Sequence, residues 1–385
     1  MKQTFLHEDD LKSQLNNFIL NAERLSMGEE CARFEKAISK YFDVENVVFV
    51  NSGSSANLLL LQSLINTGRL KPGDLVGFSA VTWATNVMPL MQLGLIPIPI
   101  DINVESLNIS SESVQLVLNE YKEIKCIFIT NLLGLCDDIG NIRTLCEERE
   151  IILIEDNCEG LGSEFEGTKL GKFGLAATHS TYVGHHLSTI EGGFVITNDQ
   201  ELGNMMKMVR AHGWDRSLDL NSKIKLKESW HVSDFYDLYT FYEIGFNLRP
   251  TEIAGFIGNH QIKYINEIVT KRMNNHDRFK KALSTKYITV ETSQMSTFSS
   301  FAFPILAKGE NSLEELKNKL ENARIEVRPI VGGNIARQPF FQKNQNKMFT
   351  LPVADEVHFN GLYIPNRPDL SDDEIEYVIN ELASI

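Results

Sequence analysis

The chain of 385 residues is long enough to bury a large core and favours two domains over one. Its net charge of −14 argues against nucleic acid or an anionic membrane as the main partner, although a few local arginines can still bind a phosphate. No apolar run reaches membrane-spanning length, and residues 1–10 show no signal sequence. Five cysteines without a C-x-x-C pair indicate a reduced, cytoplasmic protein.

Short β-rich segments alternate with helical segments up to about residue 250, which is typical of a parallel sheet wrapped by helices. Helices are predicted at residues 56–65 and 142–149. Strands are predicted at residues 47–50, 75–78, 97–100, 126–129, 151–154 and 193–196. The charge-rich residues 216–235 predict a surface excursion. We therefore expect a large ligand-binding α/β domain over residues 1–250.

The rest of the chain predicts a smaller α+β domain over residues 251–385, with Pro250 at its edge. Its predicted elements are a long helix around 251–286, a strand near 301–306, a helix over 312–323, an extended segment at 325–329 and a helix over 375–383. Ser371 and Glu374 form a capping-box pattern before this last helix.

Residues 51–57, with the sequence Asn-Ser-Gly-Ser-Ser-Ala-Asn, join a predicted strand to a predicted helix. Gly53 permits an unusual backbone angle, and the first N–H groups of the helix would point at an anion. Taken alone, the segment is better explained by a glycine turn with a serine N-cap.

Two further residue types suit a flat, nitrogen-containing ring. Glu155 and Asp156 end a buried strand, where ligands gather in open α/β sheets, and a carboxylate there can hold a pyridine nitrogen protonated. Trp83 follows another predicted strand and could stack on such a ring. In isolation, an aspartate that caps a turn and a tryptophan that packs in the core are the ordinary alternatives.

Residues 178–194 have the frame of a pyridoxal-phosphate Schiff-base loop, but without its lysine. Thr181 supplies a hydroxyl five places before His186, and an E-G-G turn follows, so His186 takes the lysine position. Imidazole cannot form the imine of a lysine amine, but it can move protons near neutral pH. We do not predict a metal at His185 and His186, because adjacent extended side chains point to opposite faces and no third ligand stands nearby.

In order along the chain, these motifs resemble the DegT/DnrJ/EryC1/StrS family of sugar aminotransferases and dehydratases. The resemblance spans nearly the whole chain, and it implies an aspartate-aminotransferase-like fold (PLP fold type I), with a large mostly parallel-sheet domain and a smaller C-terminal α+β domain. The matching segments are Gly28, Phe34-Glu35, Ser52-Gly53-Ser54, Thr82-Trp83, Glu155-Asp156, residues 178–193, Arg210-Ala211-His212-Gly213 and Asn247-Leu248-Arg249-Pro250.

Within that family, a histidine at the lysine position marks a branch of nucleotide-sugar 3-dehydratases. Membership of it implies that pyridoxamine phosphate, made from pyridoxal phosphate and L-glutamate, serves to remove the C3 hydroxyl of a GDP-linked 4-keto-6-deoxy sugar. Ammonia is released, and the product serves deoxysugar and polysaccharide biosynthesis. Residues 214–247 lack the cysteines of the branch's iron–sulfur member, so no such cluster is expected. A nucleotide-sugar aminotransferase and a non-catalytic nucleotide-sugar-binding relative remain the alternatives.

The resemblance also implies residue roles. His186 would be catalytic, Asp156 would pair with the pyridine nitrogen, Trp83 would stack on the ring and Glu159 would lie near its phenolic side. Phosphate contacts would come from Gly53, Ser54, Ser55 and Thr181. Asn247 would reach the cofactor phosphate of a neighbouring subunit, which implies a homodimer with composite sites. His212, Arg249 and Arg328 are the candidates for the nucleotide sugar.

Overall fold

The computed structural model describes residues 4–307, 313–345 and 347–384. The strands are β1 Asn46–Val50, β2 Leu75–Ser79, β3 Ile96–Ile100, β4 Ile124–Thr130, β5 Ile152–Asp156, β6 Glu164–Phe165, β7 Thr168–Lys169, β8 Ala176–Ser180, β9 Gly193–Thr197, β10 Met295–Thr297, β11 Ala302–Leu306, β12 Arg328–Pro329 and β13 Gly361–Pro365. The helices are α1 Glu8–Asn21, α2 Glu29–Phe42, α3 Gly53–Asn66, α4 Met88–Gln92, α5 Ser111–Glu120, α6 Ile139–Glu148, α7 Gln200–Val209, α8 Leu220–Ser229, α9 Glu252–Gln261, α10 Ile265–Leu283, α11 Leu313–Asn322, α12 Pro339–Lys343, α13 Pro352–Asn360 and α14 Asp372–Ala383.

A seven-stranded sheet in the order β1-β9-β8-β5-β4-β2-β3 forms the centre of the fold. Its strands run parallel except β9, which lies antiparallel between β1 and β8. Helices cover both faces, so the strands are buried on both sides, and all of them except β8 are largely apolar in sequence. The carboxyl ends of the parallel strands consequently meet at one edge of the sheet.

All six strands predicted for the first 250 residues are confirmed, each within two residues of its observed ends. Strand β8 was missed, because its sequence Ala-Ala-Thr-His-Ser lacks the β-branched apolar run that marks its neighbours. The predicted surface excursion is also confirmed. It contains α8, which has no buried residue.

The C-terminal region carries its own antiparallel sheet in the order β11-β13-β12. The predicted helix over 251–286 is divided into α9 and α10 by a short 3-10 turn at Ile262–Tyr264. α11 matches the predicted helix over 312–323, although Ser312 lies outside the described residues. The capping box at Ser371 and Glu374 is present at the start of α14, as predicted.

α9 is attached to the N-terminal part of the chain by a carboxylate. Glu252 accepts hydrogen bonds from the backbone N–H groups of Gly28, Glu30 and Cys31, which form the first turn of α2 and its cap. A carboxylate at a helix N-terminus is favoured by the helix dipole.

The division into domains at residue 250 stays a prediction. Within the described residues, no helix combines the length and the apolar character needed to cross a bilayer.

Two buried histidines predict an acid-sensitive fold. Burial lowers the pKa of His179 and of His276 to about 3. The unfolded chain therefore binds protons at these rings below about pH 6.5, whereas the folded protein binds them only near pH 3. The free energy of unfolding should fall with decreasing pH in that window, by about 1.4 kcal/mol per pH unit for each ring.

Urea titrations between pH 6.5 and 4 measure this slope. The ring of His179 stacks on Phe194 and makes no hydrogen bond to any described residue. His179→Leu should therefore reduce the pH dependence of the free energy of unfolding by the contribution of one ring, about 1.4 kcal/mol per pH unit. This change in slope is expected whatever effect the substitution has on stability at pH 7. A slope that is unchanged in His179→Leu would contradict the assignment.

Candidate active site

A cavity of about 460 Å³ lies at the carboxyl edge of the large sheet. Thr130 ends β4, Asp156 ends β5 and Ser180 ends β8, and all three line this cavity. The turn that follows β1 contributes Ser52 and Gly53 from the same side. This is the edge at which open α/β sheets bind their ligands.

The carboxylate of Asp156 is held in one orientation at the floor of the cavity. Its Oδ2 accepts hydrogen bonds from the side-chain amides of Asn57 at 2.9 Å and Asn86 at 2.7 Å. Its Oδ1 accepts the backbone N–H of Cys158 at 2.9 Å. Thr178 donates in turn to the amide oxygen of Asn57. These donors are neutral, so the negative charge of the carboxylate stays available to a cationic group in the cavity.

Glu155, the other strand-end acid, has a structural role. Successive strand residues point to opposite faces, so its side chain leaves the cavity and is fully buried. It accepts the backbone N–H groups of Gly171, Phe173 and Gly174 and the side-chain amide of Asn131. Burial raises the pKa of Glu155, and these hydrogen bonds lower it. The turn that precedes β8 is thereby fixed to β5.

The N-terminus of α3 lies beside Asp156 at the cavity and has the features of an anion site. The side chain of Ser52 caps the helix by accepting the N–H of Ser55 at 3.0 Å, while the N–H groups of Gly53 and Ser54 precede the first intrahelical hydrogen bond. A Cβ at Gly53 would lie 2.7 Å from the Cβ of Ser180, so the close approach of the two turns requires glycine there. The hydroxyls of Ser54 and Ser180 flank this site.

Trp83 and Glu159 both line the cavity. Trp83 is 57% exposed, which leaves a large aromatic surface open to a flat ligand. Glu159 accepts the backbone N–H of Leu133 at 2.8 Å. Leu133 has a left-handed backbone, with φ of 56°, so a strained turn presents this N–H to the carboxylate. Desolvation raises the pKa of Glu159 to about 7.

The structure places His185 in this cavity and His186 outside it. His186 is 4% exposed, and its Nε2 is 2.6 Å from the carbonyl oxygen of Ser299, to which it donates. His185 packs edge-on against Phe301 and Tyr182, and its Nδ1 has no hydrogen-bond partner among the described residues. We therefore revise the assignment of the lysine position from His186 to His185.

The same one-residue shift applies to the hydroxyl before the loop. Thr181 is fully buried and pairs with Thr189 through their hydroxyls at 2.6 Å, so it does not reach the cavity. Ser180 lines the cavity and stands five places before His185. Ser55 is also displaced from its predicted role, because it does not line the cavity and its hydroxyl accepts a hydrogen bond from the capping hydroxyl of Ser52.

The remaining predicted contacts divide into two groups. Arg328 lines the cavity. Asn247 and Arg249 are exposed, hydrogen-bond to each other at 2.9 Å and lie outside the cavity of their own chain. His212 is half-buried with a left-handed backbone and packs against Trp214, also outside the cavity. These three residues therefore do not contribute to the site of the protomer that carries them.

Sequence analysis missed several residues of this site. Asn57 lies one helical turn after Gly53, so its position on α3 was a usable signal. Asn86 follows Trp83 in a turn with no distinctive pattern. Phe301, which directly precedes β11, and Tyr363 of β13 line the cavity from the C-terminal region, and only long-range packing brings them there.

These residues fit a phosphorylated pyridine. A helix N-terminus with two flanking hydroxyls suits a phosphate, a fixed carboxylate suits a protonated ring nitrogen, and an exposed indole suits the ring face. Together with the seven-stranded sheet, this arrangement defines an aspartate-aminotransferase-like protein of the pyridoxal-phosphate type. The pattern of the DegT/DnrJ/EryC1/StrS aminotransferase family matches residues 7–383, and the chain belongs to that family.

Two relatives and one group of solved structures resemble the chain over nearly its whole length. GDP-4-keto-6-deoxy-D-mannose 3-dehydratase of Escherichia coli O55:H7 is 35% identical, covering 96% of each chain. The Yersinia pseudotuberculosis enzyme of that name is 36% identical over 94% of this chain and 93% of its own. The structure of the E. coli enzyme with bound hydrated PLP has a TM-score of 0.90 at 32% identity, covering 97% of each chain. Another structure of such an enzyme holds a trapped PLP–glutamate adduct, with a TM-score of 0.88 and 32% identity over 97% of each chain.

The raised pKa of Glu159 predicts that this carboxyl group changes its charge near neutral pH. Below about pH 7 it should be protonated, and above that pH it should be ionised, because burial disfavours the charged form. Infrared difference spectra collected from pH 5 to 9 should show one carboxyl band that titrates in this range. The band should be absent in Glu159→Gln and present in Glu164→Gln, a control at a carboxylate outside the cavity. A band that Glu159→Gln retains would contradict the assignment.

Proposed function

We propose that this protein is a pyridoxamine-phosphate-dependent 3-dehydratase of a GDP-linked 4-keto-6-deoxy sugar, with glutamate as the amino donor. The similarity to GDP-4-keto-6-deoxy-D-mannose 3-dehydratases supports this substrate class. The product would serve deoxysugar and polysaccharide biosynthesis. The five cysteines are free thiols, which supports a cytoplasmic setting.

The observation that carries the proposal is an imidazole where an amine would otherwise bind the cofactor. His185 faces the cavity from the turn after β8, and none of the described residues that line the cavity is a lysine. An aminotransferase of this fold needs a lysine there to hold the aldehyde and to return a proton to the sugar. A histidine cannot form that bond, so elimination is favoured over release of an amino sugar.

Each cavity residue has a defined task in this proposal. Asp156 would hold the proton on the pyridine nitrogen, and Trp83 would cover the ring. The N–H groups of Gly53 and Ser54, with the Ser180 hydroxyl, would bind the phosphate. When bound, the cofactor supplies an amine that joins the C4 ketone of the sugar and a ring that withdraws electrons.

His185 is suited to accept a proton. Burial, with a smaller contribution from the charge of Arg272, lowers the pKa of His185 to about 4. The ring is therefore neutral at pH 7 and retains one unprotonated nitrogen. It can take a proton at the cofactor C4′ carbon and return it to the departing C3 hydroxyl, which then leaves as water.

We further propose that the protein works as a homodimer with composite sites. Asn247 and Arg249 are exposed and lie outside the cavity of their own chain, so they are available to the cavity of a neighbour. The preceding segment, residues 230–244, exposes a large apolar surface of the kind that a partner protein covers. Its exposed side chains are Trp230, Phe235, Tyr236, Leu238, Tyr239, Phe241 and Ile244.

Replacing each histidine of the loop separately tests the revised assignment. His185→Asn should lower dehydration by about 10²- to 10⁴-fold, the usual contribution of a general acid–base group. His186→Asn should mainly lower stability, because it removes the hydrogen bond to Ser299. The assay measures 2-oxoglutarate and ammonia, which should appear in equal amounts. A stable 4-amino sugar as the product would identify an aminotransferase instead.

Borohydride treatment of the native enzyme gives an independent measurement. No lysine should become linked to the cofactor in the wild type, whereas His185→Lys should give a trapped adduct at that position. A lysine adduct in the wild type would remove the basis of the proposal, because an ε-amine would then reach the cofactor.

Mixing two inactive variants tests the composite site. Asp156→Ala removes a residue from the cavity of one protomer, and Asn247→Ala removes the contact proposed for its neighbour. If subunits exchange, the mixed dimer contains one intact site, so activity should return that neither variant shows alone. Two Asp156→Ala preparations mixed in the same way provide the control. Absence of recovery, with exchange confirmed by native mass spectrometry, would place Asn247 outside the partner's site.

A further inference from the structure

A second cavity of about 390 Å³ adjoins the first. His186 and Ser188 line only this second cavity. The residues that border both cavities are Tyr182, Gly184, His185, Phe301, Arg328 and Tyr363. A molecule that reacts beside His185 in the first cavity can therefore extend into the second.

The charges on the wall of the second cavity do not balance. Arg328 donates from its Nε to Glu326 at 2.9 Å, and Arg367 forms an ion pair with Asp369 at 2.7 Å. These are the acidic residues among those described that line the cavity. Arg272 lines it as well, and no described carboxylate lies within ion-pair distance of its guanidinium. Arg272 is therefore the cation on this wall that forms no ion pair with a described residue.

Arg272 is fixed in place and partly unsatisfied. It is 3% exposed, and its Nη1 donates to the carbonyl oxygens of Phe301 at 2.8 Å and Asn366 at 2.7 Å. Its Nε is buried without a hydrogen-bond partner. Burial, with a smaller contribution from the charge of Arg367, lowers the pKa of Arg272 to about 9, and the charge of Asp369 only partly offsets this shift, which reflects the cost of a desolvated cation. A carboxylate in the cavity would offset that cost.

We propose that the second cavity binds the distal carboxylate of a dicarboxylic amino donor, and that Arg272 is its cationic contact. The inference rests on the proposed function, which makes glutamate the donor. The amino group of glutamate has to react in the first cavity beside His185, while its second carboxylate lies a few bonds away. The second cavity is the adjoining space that offers this group an unpaired cation. Arg272 thereby selects a dicarboxylate over a monocarboxylic amino acid.

Glutarate is the probe for this site, because it has both carboxylates but no amine to react. It should bind the cofactor-loaded enzyme in calorimetric titrations without nucleotide sugar, and it should compete with glutamate. Butyrate, which has one carboxylate, should bind at least about tenfold more weakly, since it forgoes a charge-assisted hydrogen bond. Equal affinity for glutarate and butyrate would overturn the proposal.

Two variants test the residues separately. Arg272→Gln should raise the KM for glutamate and weaken glutarate at least about tenfold, while the KM for the nucleotide sugar stays unchanged. Val183→Phe should produce the same pattern by filling the cavity, because Val183 lines it while the hydrogen bonds of Arg272 remain. Lys271→Gln, on the same helix but outside the cavity, is the matched control and should behave as the wild type. Thermal melts report whether each variant is folded.

The outcomes separate this inference from the proposed function. A wild type that dehydrates the nucleotide sugar with glutamate, combined with unchanged glutarate binding in Val183→Phe and Arg272→Gln, would overturn the second site alone. A wild type that binds glutarate through Arg272 but does not dehydrate any GDP-linked 4-keto sugar would overturn the proposed function instead.

Discussion

The fixed carboxylate of Asp156 is the constraint on which the rest of the site depends. Two asparagine amides and one backbone N–H hold it at the carboxyl end of β5, and these donors come from α3, from the turn after Trp83 and from the turn after β5 itself. A buried carboxylate without such donors would be protonated or would turn away, since desolvation opposes its charge. The alternation of strand side chains sends the neighbouring Glu155 to the other face, where it fixes the turn before β8. One dipeptide thus anchors both the ligand site and the scaffold around it.

Six strands of the large sheet could be predicted because they are buried on both faces, so each of them is a largely apolar run between turn residues. Strand β8 could not be found in this way. Ala176 and Ala177 are small, and Thr178, His179 and Ser180 are polar, so its place in the sheet depends on pairing with β5 and β9. The break between α9 and α10 was equally hidden, because no proline or glycine marks the 3-10 turn at Ile262–Tyr264.

The residue types of the site could be predicted from the sequence, but which of two adjacent residues faces the cavity could not. Ser180 and Thr181 stand five places before His185 and His186 respectively, so the spacing of hydroxyl and imidazole is satisfied in both frames. What decides between them is the direction of side chains at the end of β8. Ser180 pairs with Gly193 and faces the cavity, whereas Thr181 turns inward to Thr189. A one-residue slip exchanges the two faces of a strand, and sequence spacing alone cannot detect it.

The position of His185 between two compartments has a consequence for how this scaffold can diverge. The imidazole of His185 borders the first cavity, which takes the cofactor ring and the sugar, and the second cavity, proposed for the amino donor. A change in the basicity or position of this imidazole therefore affects both half-reactions. Only residues that line a single cavity, such as Trp83 in the first and Ser188 in the second, can be substituted with an effect on one half-reaction alone. New specificity for the sugar or for the amino donor should therefore arise through substitutions of residues that line one cavity alone, while His185 is retained.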